Sequence, residues 1–408
     1  MKYLFRLSFL SLFLVLNSCD QKKSEVSANK YLFASPAEVG MIADSLANIE
    51  TMVKKFVDEG KYPGAVTLIA KNGKIIYESE VGWSDSLKTE PYRKDHLFRM
   101  ASMTKPLVSV AAMQLIEQGK LNLDDPVGKY IPSFKETEVM TDFNPADSSY
   151  TSKASESIPT VRQLLTHTAG VPYGFMNPSV NGAIYDKNDI PDLSSYRDMT
   201  IEDVASKLGN LPLMHEPGKK WMYGLNTDVL GRVVELDFYF DTCEKKNLTK
   251  VFIPKADSTN MQVSEMGKMY IADYPTDGAK SYLSGGSGMT GTARDYFLFC
   301  QAMLNDGELN GVQILKKETA QSMHENQLGT IQYPWGPMSF GFGFDVAKNH
   351  PIQPKGTYSW GGAFSTVFWI DPVNDLVVVQ LRQVLSSQFN QEINGALEKI
   401  VYSSFSKK

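Results

Sequence analysis

Apolar residues recur at helical spacing across residues 37–58, with charged residues between them. That pattern predicts an amphipathic helix. The period then changes. Gly64-Ala65-Val66-Thr67-Leu68-Ile69-Ala70 and Ile75-Ile76-Tyr77 are β-rich runs on either side of Lys71-Asn72-Gly73-Lys74. An Asn-Gly pair between two such runs predicts a hairpin. Further on, Leu107, Val108, Val110, Ala111, Met113, Leu115 and Ile116 leave little polar surface on one helix, which is therefore expected to be largely buried. Pro106 falls in its first turn, where a missing N–H is tolerated, and Gly119 ends it.

The middle of the chain has another texture. Residues 124–127 and 158–160 carry turn chemistry. Short helices are expected around 161–166, 201–208, 227–236 and 292–304. Residues 141–157 and 174–198 are rich in Asn, Asp, Ser and Pro and are expected to be irregular surface loops near a cleft. Strands return in the last third. Phe340-Gly341-Phe342-Gly343-Phe344 alternates aromatics, residues 364–370 and 376–381 are β-rich, and Asp371-Pro372-Val373-Asn374-Asp375 separates these two runs as a turn. A helix over 388–402 closes the chain. Strands at both ends around a helical middle predict an α/β (α+β) fold. Its antiparallel sheet would be built from N- and C-terminal strands flanked by helices, with an inserted, mainly helical lobe over roughly residues 120–290. A cleft between lobes is the expected place for a substrate.

The chain has 408 residues, 42% hydrophobic and 21% charged, a soluble globular composition long enough for one large domain or two lobes. The first eighteen residues differ. Lys2 and Arg6 precede residues 7–16, which are apolar apart from Ser8 and Ser11. That run is too short to span a membrane and reads as a secretory signal. Leu16-Asn17-Ser18-Cys19 resembles a bacterial lipobox, which implies cleavage before Cys19 and a lipid on its thiol. The expected organisation is a signal peptide over 1–18, a flexible tether over 19–36 and a catalytic domain over 37–408. The mature protein would be a membrane-anchored lipoprotein of the bacterial cell envelope, facing the periplasm. The signal holds two of the 41 basic and none of the 46 acidic residues, so the remainder carries a formal charge of −7. With no long basic run, nucleic acid is excluded as an expected partner. Cys243 and Cys300 allow one disulfide, which spacing does not decide. His96, His167, His215, His324 and His350 are scattered, with no pair at ligand spacing, so neither a metal nor a cofactor is expected.

The candidate chemistry centres on Ser102-Met103-Thr104-Lys105, immediately before the apolar helix. A serine hydroxyl is a poor nucleophile unless a base takes its proton. A lysine three residues on along a helix shares the serine's face, and its amine becomes a base when burial or nearby cations depress its pKa. The helix start adds free N–H groups and partial positive charge. Ser-x-x-Lys also occurs at Ser27–Lys30 and Ser404–Lys407, but neither copy opens a helix able to desolvate its lysine. Taken alone, Ser102 reads equally well as a helix cap. Three further segments add weight. Glu216-Pro217-Gly218-Lys219-Lys220-Trp221-Met222-Tyr223-Gly224-Leu225 supplies Tyr223, which could relay protons if its pKa fell toward neutrality, or serve as an aromatic anchor. Ser359-Trp360-Gly361-Gly362-Ala363-Phe364 brings paired glycines to a strand, where a ligand can approach the backbone, or where a bulge can form. Leu164-Leu165-Thr166-His167-Thr168-Ala169-Gly170 places His167 at a helix end, where bonding to local backbone is the commoner role than catalysis.

Together with Gly285-Gly286-Ser287-Gly288-Met289, Thr292-Ala293-Arg294-Asp295 and Ile370-Asp371-Pro372, these ordered segments resemble the serine β-lactamase-related superfamily. That group includes class C β-lactamases, D-alanyl-D-alanine peptidases and family VIII carboxylesterases. The resemblance runs from about residue 65 to 404 and implies a β-lactamase/transpeptidase-like fold. It implies Ser102 as nucleophile, Lys105 as its proton partner and Tyr223 as a second general base sharing protons with Lys105. The backbone N–H groups of Ser102 and Ala363 would form the oxyanion hole, and Trp360, Gly361 and Gly362 would line the substrate site. Two departures bear on the subclass. Class C enzymes and many peptidases carry Tyr-x-Asn and Lys-Thr-Gly, whereas here Tyr223 precedes Gly224 and Leu225, Asn226 falls one place late, and the third motif begins with Trp360. A substrate carboxylate would lack its cation unless Lys355 or Arg382 replaced it. The pattern is similar to family VIII esterases and implies a small-molecule ester as substrate. A β-lactamase or D-amino-acid peptidase acting on peptide-like substrates is the first alternative, and a catalytically idle peptidoglycan-binding envelope protein is the second.

Overall fold

Strand β1 (Gly64–Lys71) is buried on both faces along almost its whole length, which a strand with so few polar residues must be. Its hairpin partner β2 (Lys74–Gly82) turns back at Asn72-Gly73, both with positive φ. On its other side β1 pairs with a strand more than 300 residues later in the chain. The remaining strands are β3 (Met338–Phe340), β4 (Asp345–Ala347), β5 (Tyr358–Gly361), β6 (Val367–Asp371) and β7 (Leu376–Leu381). They form a seven-stranded antiparallel sheet in the order β3-β4-β5-β6-β7-β1-β2, with Val66 opposite Leu381 and Lys71 opposite Leu376. The computed structural model describes residues 31–193, 198–235, 247–254, 261–263 and 281–406. The expected signal sequence, Cys19 and Cys243 lie outside the described residues; Cys300 is a buried free thiol. None of the helices among the described residues is long and apolar enough to cross a membrane.

The period of two sorts the central strands between two cores. Ala65, Ile69 and Val378 face helix α1 (Ala43–Asp58) and the C-terminal helix Asn390–Ser403, meeting Leu46, Ile49, Val53, Leu397 and Val401. Thr67 and Gln380, paired in register on this face, satisfy each other at 2.9 Å. Val66, Leu68, Val377 and Val379 face the larger core, which includes α2 (Thr104–Glu117) and Tyr296 and Phe297 of the helix Ala293–Leu304. The expected 37–58 helix is interrupted: Pro36–Val39 is a 3-10 turn, and Gly40 at φ 74° breaks the chain before α1 begins. The expected strand at 364–370 starts only at Val367, because Ser365 at φ 67° turns the chain. The Phe340–Phe344 segment forms a strand only to Phe340; its three aromatics are all fully buried.

Two segments expected to be irregular are not. Glu138–Asn144 and Ser149–Ala154 pair as a mostly exposed antiparallel hairpin, its turn held by Asn144 and Asp147 side chains that accept from Ala146 N and Ser149 N at 3.0 and 2.9 Å. Its apolar residues Val139, Met140 and Phe143 do not recur at every second position, so the alternation that marks a half-buried strand is missing. Beyond Tyr173, the chain forms a 3-10 turn (Gly174–Met176), a π turn (Pro178–Gly182) and a short helix (Ala183–Lys187) that buries Ile184 and Tyr185. Residues 194–197 lie outside the described residues.

Leu397 is fully buried on the sheet face away from α2. Leu397→Ala is expected to cost ~2–5 kcal/mol. This should be measured as a lowered thermal midpoint, with the activity of the folded protein retained at 25 °C.

Candidate active site

Ser102 lies in a tight 3-10 turn, Ala101–Met103, that runs into α2 at Thr104. The serine therefore precedes the helix rather than sharing a regular helical face with Lys105. Ala101 has φ 45°, a conformation that costs a non-glycine residue about 1–2 kcal/mol and persists only where the surroundings enforce it. They do so from two sides. Met100 N donates to Met289 O at 2.9 Å, next to the pairing of Phe98–Arg99 with Thr290–Gly291. Met100 O accepts from Thr366 Oγ1 at 3.3 Å.

Lys105 is buried to 1% exposure. Its Nζ is 3.3 Å from Ser102 Oγ, 2.8 Å from Tyr173 Oη and 2.9 Å from Gly286 O. It lies over the rings of Tyr173 and Tyr223. Burial pushes its pKa down to about 7, while the negative charge of Asp228 resists the fall. An uncharged amine has two N–H donors and one lone pair. The Gly286 carbonyl can only accept, and the Tyr173 hydroxyl can take the second N–H, so the lone pair is left for the Ser102 proton.

On the opposite side, Tyr223 Oη donates to Ser102 Oγ at 2.6 Å. Burial raises the Tyr223 pKa above its ordinary value, with the Ser102 hydrogen bond opposing the rise. The condition under which Tyr223 would act as a base, a pKa falling toward neutrality, is therefore not met: desolvation of an enclosed phenol keeps it protonated. Lys105 and Tyr223 make no direct hydrogen bond among the described residues; each meets Ser102 Oγ from its own side. Their spacing is set by Gly224. A Cβ there would lie 2.2 Å from Pro172 Cα, so only glycine lets the two segments touch. Tyr173 N donates to Tyr223 O at 3.3 Å across this contact, and the two rings stand 5.4 Å apart, edge to face.

His167 does not reach Ser102. Its ring packs 4.9 Å from that of Tyr223, its Nδ1 is 3.0 Å from Asn226 Nδ2, and its carbonyl accepts from Met222 N at 2.8 Å. Burial first, and then the charge of Lys105, hold its pKa well below the usual imidazole value. It is a neutral support for the Tyr223 segment. Asn226 Nδ2 is engaged by His167 and by the carbonyls of Val171 and Met222, and the residue makes no hydrogen bond to the lysine among the described residues.

The Trp360–Ala363 segment joins the site from the sheet. Trp360 and Gly361 end β5, and Gly362 N donates to Thr366 O at 2.8 Å. A Cβ on Gly362 would sit 2.3 Å from Met100 O, so this glycine permits the turn to lie against the Ser102 segment. The Ala363 N–H makes no hydrogen bond among the described residues and is available beside the nucleophile turn. Trp360 packs 5.6 Å from the Tyr223 ring. The two cations considered for a substrate carboxylate are placed elsewhere. Lys355 is exposed in the turn before β5. Arg382 is fully buried, donating to Ser365 O at 2.6 Å and to Asn394 Oδ1.

Three contributors escaped the sequence reading: Tyr173, the Gly286 carbonyl and Asp228. Asp228, fully buried in the first turn of the helix Asn226–Val233, accepts from Ser284 Oγ at 2.6 Å and Gly286 N at 3.2 Å. It thus holds the Gly286 peptide whose carbonyl meets Lys105. Burial raises its pKa, and the lysine pulls it back. A lone acid before Val229, Leu230 and Val233 was the available signal.

The chain belongs to the Beta-lactamase family, whose model matches residues 49–400. Esterase EstB of Burkholderia gladioli is 28% identical to it over 406 residues, covering 90% of this chain and 98% of the relative. Acyltransferase calJ of Penicillium decumbens is also 28% identical, covering 73% and 78%. The solved structure of EstCE1, described as a hydrolase with promiscuous acyltransferase activity, superposes with a TM-score of 0.72 at 28% identity, covering 88% of this chain and 99% of that one. The relatives therefore combine this fold with ester hydrolysis and acyl transfer.

Two outcomes follow from the Lys105 environment. If the amine acts as the base, kcat/KM falls as pH drops through an apparent pKa near 7, because protonation fills the lone pair. A pH–rate profile checks this. The same pKa depression penalises the fold below about pH 7, and the penalty fades as pH rises toward the lysine's unfolded value of about 10.4. Lys105→Met should therefore gain more thermal stability over the parent at pH 6 than at pH 9.5.

Proposed function

We propose that this protein is a serine hydrolase that cleaves carboxylic esters through an acyl-enzyme on Ser102. The observation that carries this reading is the buried Lys105 amine 3.3 Å from Ser102 Oγ, with the Tyr223 hydroxyl 2.6 Å away on the other side. In acylation the Ser102 proton passes to Lys105 as Oγ attacks the ester carbonyl. The N–H groups of Ser102 and Ala363 take the developing oxyanion. Tyr223 gives its proton to the departing alkoxide, and the Lys105 ammonium restores it. In deacylation water attacks, its proton goes to Lys105, and the ammonium returns it to Ser102 Oγ as the acid leaves.

The choice of ester over β-lactam or D-peptide rests on charge. Trp360 stands where Lys-Thr-Gly enzymes carry a cation, and neither Lys355 nor Arg382 is placed to replace it. A carboxylate-bearing substrate would lose its desolvated counter-charge, which in comparable buried pairs is worth several kcal/mol. The esterase and acyltransferase relatives support the same choice.

The test is a pair of initial rates, p-nitrophenyl butyrate against nitrocefin, with Ser102→Ala as control. Ester cleavage abolished by Ser102→Ala, with negligible nitrocefin turnover, is the expected result. Strong nitrocefin turnover would assign the protein to the β-lactamases. Ester cleavage that survives Ser102→Ala would overturn the mechanism.

A further inference from the structure

Behind the aromatic rings that pack against Tyr223 lies a carboxylate for which the proposed mechanism has no use. Asp345 opens β4, opposite Phe340 on one neighbouring strand and Ser359, the residue before Trp360, on the other. Its Oδ1 accepts from the Tyr333 hydroxyl. Among the described residues it forms no ion pair, and nothing but Tyr333 is bonded to its carboxylate. The residue is half-buried, and the enclosure of its carboxylate raises its pKa to about 7, with only Tyr333 opposing. Its negative charge is felt at the Tyr223 hydroxyl, so it belongs to the surroundings of the reacting atoms.

Aromatic rings link this acid to the nucleophile. Tyr333 stands edge-on to Trp221 at 4.8 Å and 5.8 Å from Trp335. Trp335 stacks on Trp360 at 5.8 Å and meets Tyr223 at 5.5 Å. It is 41% exposed while the other rings of the group are buried, so its ring presents itself to an incoming molecule. π faces attract cations electrostatically, most strongly where water is excluded, and an unpaired carboxylate beside them adds a full opposite charge. The mouth of the site thus has the reverse polarity of one built for substrate carboxylates.

We propose that Trp335, Tyr333 and Asp345 form a subsite for a positively charged group, an alkylammonium or quaternary ammonium, on the ester substrate. This rests on the ester-hydrolase reading and names its substrate class. Cation–π and carboxylate attraction together should raise kcat/KM about tenfold over an uncharged substrate of equal shape.

The experiment compares butyrylcholine with its uncharged isostere 3,3-dimethylbutyl butyrate at pH 8, with p-nitrophenyl butyrate as a reference. We expect kcat/KM for the choline ester to exceed that of its isostere about tenfold, and the ratio to collapse toward one in Asp345→Asn. Equal rates for the two esters, or a ratio that survives Asp345→Asn, would overturn the proposal while leaving the hydrolase reading intact. A separate measurement needs no turnover: tetraethylammonium titrated into Ser102→Ala should change its tryptophan fluorescence saturably, and a change with no saturation up to 100 mM ligand would also overturn the subsite. No cleavage of any ester, p-nitrophenyl butyrate included, would instead remove the hydrolase reading on which the substrate class depends.

Discussion

A lysine amine sealed between two tyrosine rings and a peptide carbonyl, with no carboxylate in hydrogen-bonding reach among the described residues, governs how this site is built. Desolvating an ammonium is far more costly than desolvating an amine, so the packing itself removes the proton near neutral pH. Everything that seals Lys105 therefore also activates it. α2 carries it into the larger core, the Gly224 contact closes the tyrosines over it, and Asp228 orients the Gly286 peptide behind it. Asp228 is near enough to moderate the depression but does not contact the amine, which leaves the base poised rather than locked as an ion pair.

The two tyrosines that flank this amine differ in their role. Tyr173 hydrogen-bonds the lysine and not the serine; Tyr223 hydrogen-bonds the serine and not the lysine. Both are fully enclosed and both hold their protons more tightly than a free phenol. The site is therefore a line of hydroxyls and one amine in which a single group, Lys105, is readily able to accept. The proposed order of proton movement rests on these effects of burial and uses no histidine. His167 comes close but is held neutral and turned to Asn226.

How much of this was legible follows from what each feature depends on. Ser102, Lys105, Tyr223 and the Trp360–Ala363 segment could be singled out because each lies in a short motif, and it was the ordered set of motifs, not the spacing of any one, that implied their roles. β1 and β7 could be read because burial on both faces demands continuous apolar runs. Tyr173 and Gly286 could not, because they reach Lys105 only through contacts between segments 68 and 181 residues away from it in the chain. The direction of the Tyr223 pKa stayed open for a related reason: the degree of enclosure is a property of the packed whole and not of a motif. The 138–154 hairpin was hidden because Val139, Met140 and Phe143 do not alternate with its polar residues, and its turn relies on Asn144 and Asp147 side chains rather than a glycine pair.

The sheet order has a consequence for time as well as space. β1 lies between β2, its immediate successor, and β7, which ends at Leu381. Until nearly the whole polypeptide has been made, the central strand has one open edge and an apolar face without its cover. Pairings of such long range are slow to form, because the loop between them must be closed before any contact repays it. Synthesis therefore runs almost to the end before the native sheet can close. The β1–β7 edge can form only after every residue up to Leu381 has been made, whatever has already packed elsewhere.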